Sequence, residues 1–133
     1  MASIDAIGGL DHKSATKLRK ARIRTTQALL RTGADQKGRR LLAKATGLGE
    51  KDLLRWVHRA DLMRIKGIGT EYVTLLEVAG VETIKDLRRR NPQRLLDAMA
   101  DANVLNRHVR RLPTIGMVTK WVSAAKEIDP LVI

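Results

Sequence analysis

Apolar positions in this chain recur at intervals of three and four, and no stretch alternates apolar with polar in the Val-, Ile- and Thr-rich manner of a strand. That periodicity predicts an all-α fold. Ala15, Leu18 and Ala21 share one side of a helix predicted over 12–21, and Val73, Leu76 and Ala79 do the same over 70–79. Further helices are predicted over 36–45 and 50–63. Thr25 and Thr83 have the character of N-cap residues for the helices that follow them, which are expected to end near Gly33 and Asn91. Prolines occur only at Pro92, Pro113 and Pro130, and the first two stand just ahead of apolar-periodic runs, as first-turn prolines do.

The pattern also repeats. Ile7, Gly9, Leu10, Ala15, Leu18, Ala21, Ile23, Thr25 and Leu29 recur about 58 residues later as Ile65, Gly67, Ile68, Val73, Leu76, Ala79, Val81, Thr83 and Leu87. Arg55-Trp56-Val57 with Ala60 mirrors Lys120-Trp121-Val122 with Ala125 at a slightly larger interval. The expected organisation is therefore a single compact domain of two pseudo-repeats, 7–63 and 65–128, packed face to face. The second should carry an insertion within 97–114. Trp56 and Trp121, at matching positions among apolar neighbours, are expected to anchor the core.

Lys66-Gly67-Ile68-Gly69-Thr70 breaks the helical periodicity between two apolar runs. Its glycines permit a tight turn, Ile68 can plug the groove between the flanking helices, and Val73 and Leu76 can pack the second helix onto the first. With no side chain at Gly69, the amides at the start of the second helix become reachable, and the helix dipole favours an anion there. This pattern resembles the helix-hairpin-helix motif. Gly47-Leu48-Gly49 resembles a further copy, and Gly9-Leu10-Asp11, followed by Ala15 and Leu18, a weaker one. Helix-hairpin-helix proteins grip the phosphodiester backbone of duplex DNA without reading bases. The resemblance thus implies a fold of tandem duplicated hairpin units, with Lys66, Gly67, Ile68, Gly69 and Thr70 on phosphate. Acids depart from the pattern at Asp11, at Glu50 and Asp52, and at Glu71.

The whole chain, through Leu54-Arg55-Trp56-Val57, Asp61-Leu62-Met63-Arg64-Ile65 and Gly67-Ile68-Gly69-Thr70-Glu71-Tyr72, is similar to an uncharacterised bacterial family known as a domain of unknown function. Some helix-hairpin-helix proteins are DNA glycosylases or lyases that share a Lys after the hairpin and a distant Asp. Thr70 and Glu71 stand in that region here, so no enzyme activity is expected.

Charge sharpens the choice of partner. The chain has 26 Lys and Arg against 14 Asp and Glu, a formal +12. Residues 1–60 hold 14 of the cations and 5 of the acids, and no acid falls between residues 12 and 34. Lys13, Lys17 and Lys20 line one side of the helix predicted over 12–21 and Arg24 lies just beyond its end, flanked by Arg19 and Arg22, with Lys37, Arg39, Arg40 and Lys44 nearby. Such a collection suits a polyanion, which releases counterions when its phosphates are neutralised. Trp56, Trp121 and Tyr72 are the only rings, too few for a protein that stacks unpaired bases, so duplex is favoured over single strand.

The remaining clusters, Arg88-Arg89-Arg90 with Arg94 and Arg107 with Arg110 and Arg111, are expected to be helix-end and loop charges. There is no cysteine, and His12, His58 and His108 lie far apart, so neither a metal site nor a cofactor is expected. With no secretory pattern at the start and no span-length apolar run, the expected location is the cytoplasm, at the nucleoid if DNA is bound. Double-stranded DNA is the first partner. Structured RNA or an acidic protein, bound in an adaptor role, are the alternatives.

Overall fold

Short polar residues set where most of the helices begin. Asp11, Thr25, Asp35, Thr83, Asn91 and Thr114 each sit in extended backbone and accept a hydrogen bond from an amide of the turn that follows. Each satisfies one of the donors that a helix leaves unpaired at its start. The computed structural model describes residues 2–133 as a succession of helices. These are α1 (His12–Lys20), α2 (Thr26–Gly33), α3 (Gln36–Thr46) and α4 (Glu50–Leu62), then α5 (Thr70–Val78), α6 (Ile84–Leu87), α7 (Pro92–Leu105) and α8 (Ile115–Glu127). A single 3-10 turn, Ile4–Ala6, precedes them, and the only pairing of extended backbone among the described residues is an isolated bridge between Ser3 and Thr25.

The chain divides into two compact units. The first runs to Asp61 and takes in Leu131–Ile133; the second is Leu62–Pro130. Local geometry recurs from one to the other. Leu10 N–H donates to the Ile7 carbonyl and Ile68 N–H to that of Ile65. Ile23 N–H returns to Leu18 after α1, and Val81 N–H to Leu76 after α5. Gly9 and Gly67 both have positive φ, +83° and +94°. Within the first unit α1 and α2 pack on α3; within the second α5 packs on α7, while α6 and α7 pack on α8.

Each unit has its own buried set. Ile4, Ile7, Leu18, Leu29, Leu53 and Val57 are sealed in the first. In the second, Leu76, Ile84, Leu87, Met99 and Val118 lie with Trp121 in one continuous cluster. Trp56 and Trp121 are both buried, and Tyr72 stacks obliquely on Trp121 with ring centroids 5.3 Å apart.

One departure from the sequence expectation concerns α6. The helix after Thr83, expected to run towards Asn91, stops at Leu87, and Arg89 and Arg90 N–H close tight turns back to Asp86 and Leu87. Pro92 at the first position of α7 denies Asn91 helical backbone, so the helix cannot run on into α7. Helix α7 is longer than α3, and the link after it runs over 106–114 where that after α3 covers 47–49.

Candidate nucleic-acid interface

Helix α1 turns its apolar side inwards, burying Ala15 and Leu18 with Ser14, and this leaves Lys13, Lys17 and Lys20 exposed along the other side. Arg22 and Arg24 are exposed just beyond the helix. On α3, which packs on α1, Lys37, Arg40 and Lys44 are exposed while Leu42 is buried. None of these eight cations is held by a carboxylate among the described residues. Arg19 is different: it pairs with Asp5, whose carboxyl is held below the ordinary range chiefly by that guanidinium.

Arg39 was expected with this group and stands apart from it. Its side chain is buried, and the guanidinium donates to the carbonyls of Gly33 (2.8 Å), Ala34 (3.0 Å) and Ile133 (2.6 Å). It closes the α2–α3 corner and holds residues 131–133 on the first unit. A guanidinium so satisfied is a structural tie, and its loss would leave the buried Gly33 carbonyl short of a donor, whereas the Ala34 carbonyl keeps the Ile133 amide. Arg59 plays a similar part, buried and donating to the Gly8 carbonyl of the first glycine turn.

Arg22 carries a signal that charge counting misses. Its φ is +68°, the one non-glycine residue with positive φ among those described, and the matching turn of the second unit has Gly80 at +97°. A side chain at such a backbone angle costs on the order of 1 kcal/mol. An exposed cation is kept at a site where the second unit uses glycine. Aligning the repeats at Arg22 and Gly80 could have singled it out from sequence.

The three glycine turns differ in whether an anion can reach the helix behind them. At the first, Asp11 caps α1, accepting from Ser14 N–H at 3.2 Å. Hydrogen bonds from Ser14 hold the Asp11 carboxyl below the ordinary range, so the cap is complete at neutral pH and is lost only as pH falls into acid. At the second, the Asp52 carboxylate lies 3.5 Å from where a Gly49 Cβ would be. At the third, Gly69 starts α5 with no side-chain hydrogen bond, and a Cβ there would meet nothing within 4 Å. Gly69 and Thr70 are exposed beside exposed Lys66 and Gly67, while Ile68 is buried as the plug of the turn. Glu71 follows in the first turn, but it lines a cleft with Arg107, His108 and Arg110. The tertiary fold thus brings beside Glu71 two arginines, Arg107 and Arg110, that were expected to be loop charges only.

These positions suggest an exchange. Gly69→Asp would give α5 the carboxylate cap that Asp11 gives α1. Thermal melts should show stability unchanged or raised by a few tenths of a kcal/mol, since an aspartate N-cap exceeds glycine by about that much. If the third turn takes phosphate, duplex affinity measured by anisotropy should nonetheless fall; equal affinity would remove the turn from the interface.

Among the described residues no group of three His, Asp or Glu could hold a metal ion, and no helix is long and apolar enough to cross a membrane. A family model described as Domain of unknown function (DUF4332) matches residues 8–128, so the chain belongs to that family. No curated protein and no solved structure matches the chain.

Proposed function

We propose that this protein is a non-sequence-specific module for double-stranded DNA, built of two related helix-hairpin-helix units. The observation that carries the reading is the cationic face of the first unit. Lys13, Lys17, Lys20, Arg22, Arg24, Lys37, Arg40 and Lys44 are all exposed and without carboxylate partners. Charge placed for solubility is ordinarily interleaved with acids, whereas this unit has 14 Lys and Arg against 6 Asp and Glu. The uncapped start of α5 would add backbone donors for one phosphate, with Lys66 beside it. The recurrence of turns and hydrogen bonds between the units supports their common design. Contacts of this kind position a duplex and do not read it.

Burial of the rings supports duplex over single strand. Trp56 and Trp121 are 6% and 3% exposed, and Tyr72 is half-buried against Trp121, so no open aromatic platform is offered to unpaired bases. A titration of labelled DNA duplex, single strand and RNA duplex over a salt series tests the reading. Duplex DNA should bind most tightly, whatever its sequence, with log K falling by about 0.9 for each phosphate contact per tenfold rise in salt. Absence of duplex binding at low salt would sink it, and preference for RNA duplex would move the function to structured RNA.

One observation favours a second reading, an adaptor for an acidic protein surface. Carboxylates occupy or overhang two of the three helix starts, so only α5 retains the open end that phosphate needs. Binding to an acidic polypeptide with no response to duplex competition would select it.

A further inference from the structure

We propose that the end of α7 and the loop after it, residues 104–111, form a second DNA-contacting element. In it an aliphatic pair wedges between base steps from the minor groove and arginines line the groove. This rests on the duplex-binding reading above and goes beyond phosphate contact to deformation of the DNA.

Val104 and Leu105 are 85% and 88% exposed, more than any other large apolar side chain described. They adjoin Arg107, Arg110 and Arg111, all exposed. Two aliphatic side chains are far too small a patch for a stable protein interface, which takes about 800 Å² from each partner. They match the size of a wedge, because inserting one or two apolar side chains is how minor-groove proteins unstack a base step. The cations beside them are arginines, the residue that a narrow minor groove attracts through its enhanced negative potential.

The loop is also organised in advance. Asn103 Oδ1 accepts from the His108 and Val109 amides at 2.8 and 3.1 Å, and its Nδ2 donates to the Val109 carbonyl at 3.2 Å. Tyr72 donates its hydroxyl to the Arg111 carbonyl, and Val109 and Pro113 are buried. A loop pinned this way lowers the backbone ordering cost of binding, leaving only that of its exposed side chains. Arg107 rests on the carbonyls of Val109 and Arg110 at 3.4 and 3.5 Å, contacts long enough to give up for a groove.

The full chain should be titrated into a duplex of about 25 base pairs carrying a donor and an acceptor dye at its ends, with affinity followed in parallel over a salt series. The wild type should raise energy transfer by an amount within the roughly 20–90° bends that side-chain wedges produce. Val104→Ser with Leu105→Ser should leave the salt slope unchanged and the duplex straight. Arg107, Arg110 and Arg111→Ala should lower the slope as well as the bend. All these positions are exposed, and equal thermal melts would show that the variants fold. A wild type that binds without bending, or a serine variant that bends equally well, overturns the tip proposal and leaves duplex binding standing. No duplex binding by the wild type overturns both. Serine substitution that abolishes capture of an acidic amphipathic peptide, with bending intact, would assign the tip to a protein partner instead.

Discussion

Replacing Lys13, Lys17 and Lys20 together by glutamate is expected to weaken duplex binding by about 10²-fold or more at about 0.1 M salt. It should also lower the salt slope by about three. The magnitude follows from counterion release. Each cation that neutralises a phosphate contributes about 0.9 to the slope of log K against log salt, and reversing its sign adds repulsion. All three side chains are exposed on one side of α1, and the opposite side is buried through Ala15 and Leu18, so the substitutions leave the core intact. Lys17 and Lys20 lie in the last turns of α1, where cations suit the dipole, so a stability loss of about 1 kcal/mol can accompany the change. The glutamine triple variant controls for that, keeping much of the stability while still losing the slope. Lys66→Glu should cost only about one unit of slope. If anisotropy titrations give equal affinity for wild type and triple variant, the α1 face is not the contact.

Gly38→Ala should be the most damaging of the glycine-to-alanine substitutions. A Cβ at Gly38 would fall 2.0 Å from the Thr32 carbonyl oxygen, and that neighbour is backbone at the end of α2. The corner cannot open without disturbing what closes it: the Asp35 cap to Gly38 N–H at 2.7 Å and the Arg39 hydrogen bonds to Gly33 and Ala34. A cost of about 3 kcal/mol or more is expected, with a melting temperature lower by roughly 10 °C or more. Gly33→Ala provides the informative comparison. Its Cβ would meet Val57 Cγ2 at 2.6 Å, a side-chain clash that Val57→Ala can relieve. In a double-mutant cycle Val57→Ala should therefore rescue part of the Gly33→Ala loss and none of the Gly38→Ala loss. A Gly38→Ala protein melting with the wild type would mean that the corner is looser than the geometry requires.

Much of this architecture could be read along the chain because its causes are local. Helix starts at Thr25 and Thr83 follow from a hydroxyl reaching the amide three residues on, and this needs no distant partner. The start of α7 at Pro92 has the same local origin. Burial of Trp56 and Trp121 was legible from their matching positions among apolar neighbours. The early end of α6 was less visible, since the sequence expectation carries that helix on to near Asn91.

The site was legible where charge spacing alone decides exposure. Lys13, Lys17, Lys20, Lys37 and Arg40 are exposed because the apolar positions of their helices determine which side turns inwards. Arg39, one residue from Arg40, could not be separated from them by composition. Its burial depends on carbonyls of the α2 corner and on Ile133, the last of them 94 residues away in sequence.

By itself, then, the sequence determined the helices, their caps, the recurrence at about 58 residues and the excess of cations in the first half, because period, cap chemistry and charge are properties of neighbouring residues. Only the tertiary structure decided which cations are used up as structural ties, which glycine turn keeps an open helix start, and that Arg107 and Arg110 line the cleft beside Glu71. Those outcomes depend on groups far apart in the chain coming within hydrogen-bonding or contact distance, and a pattern of neighbours holds no information about that distance.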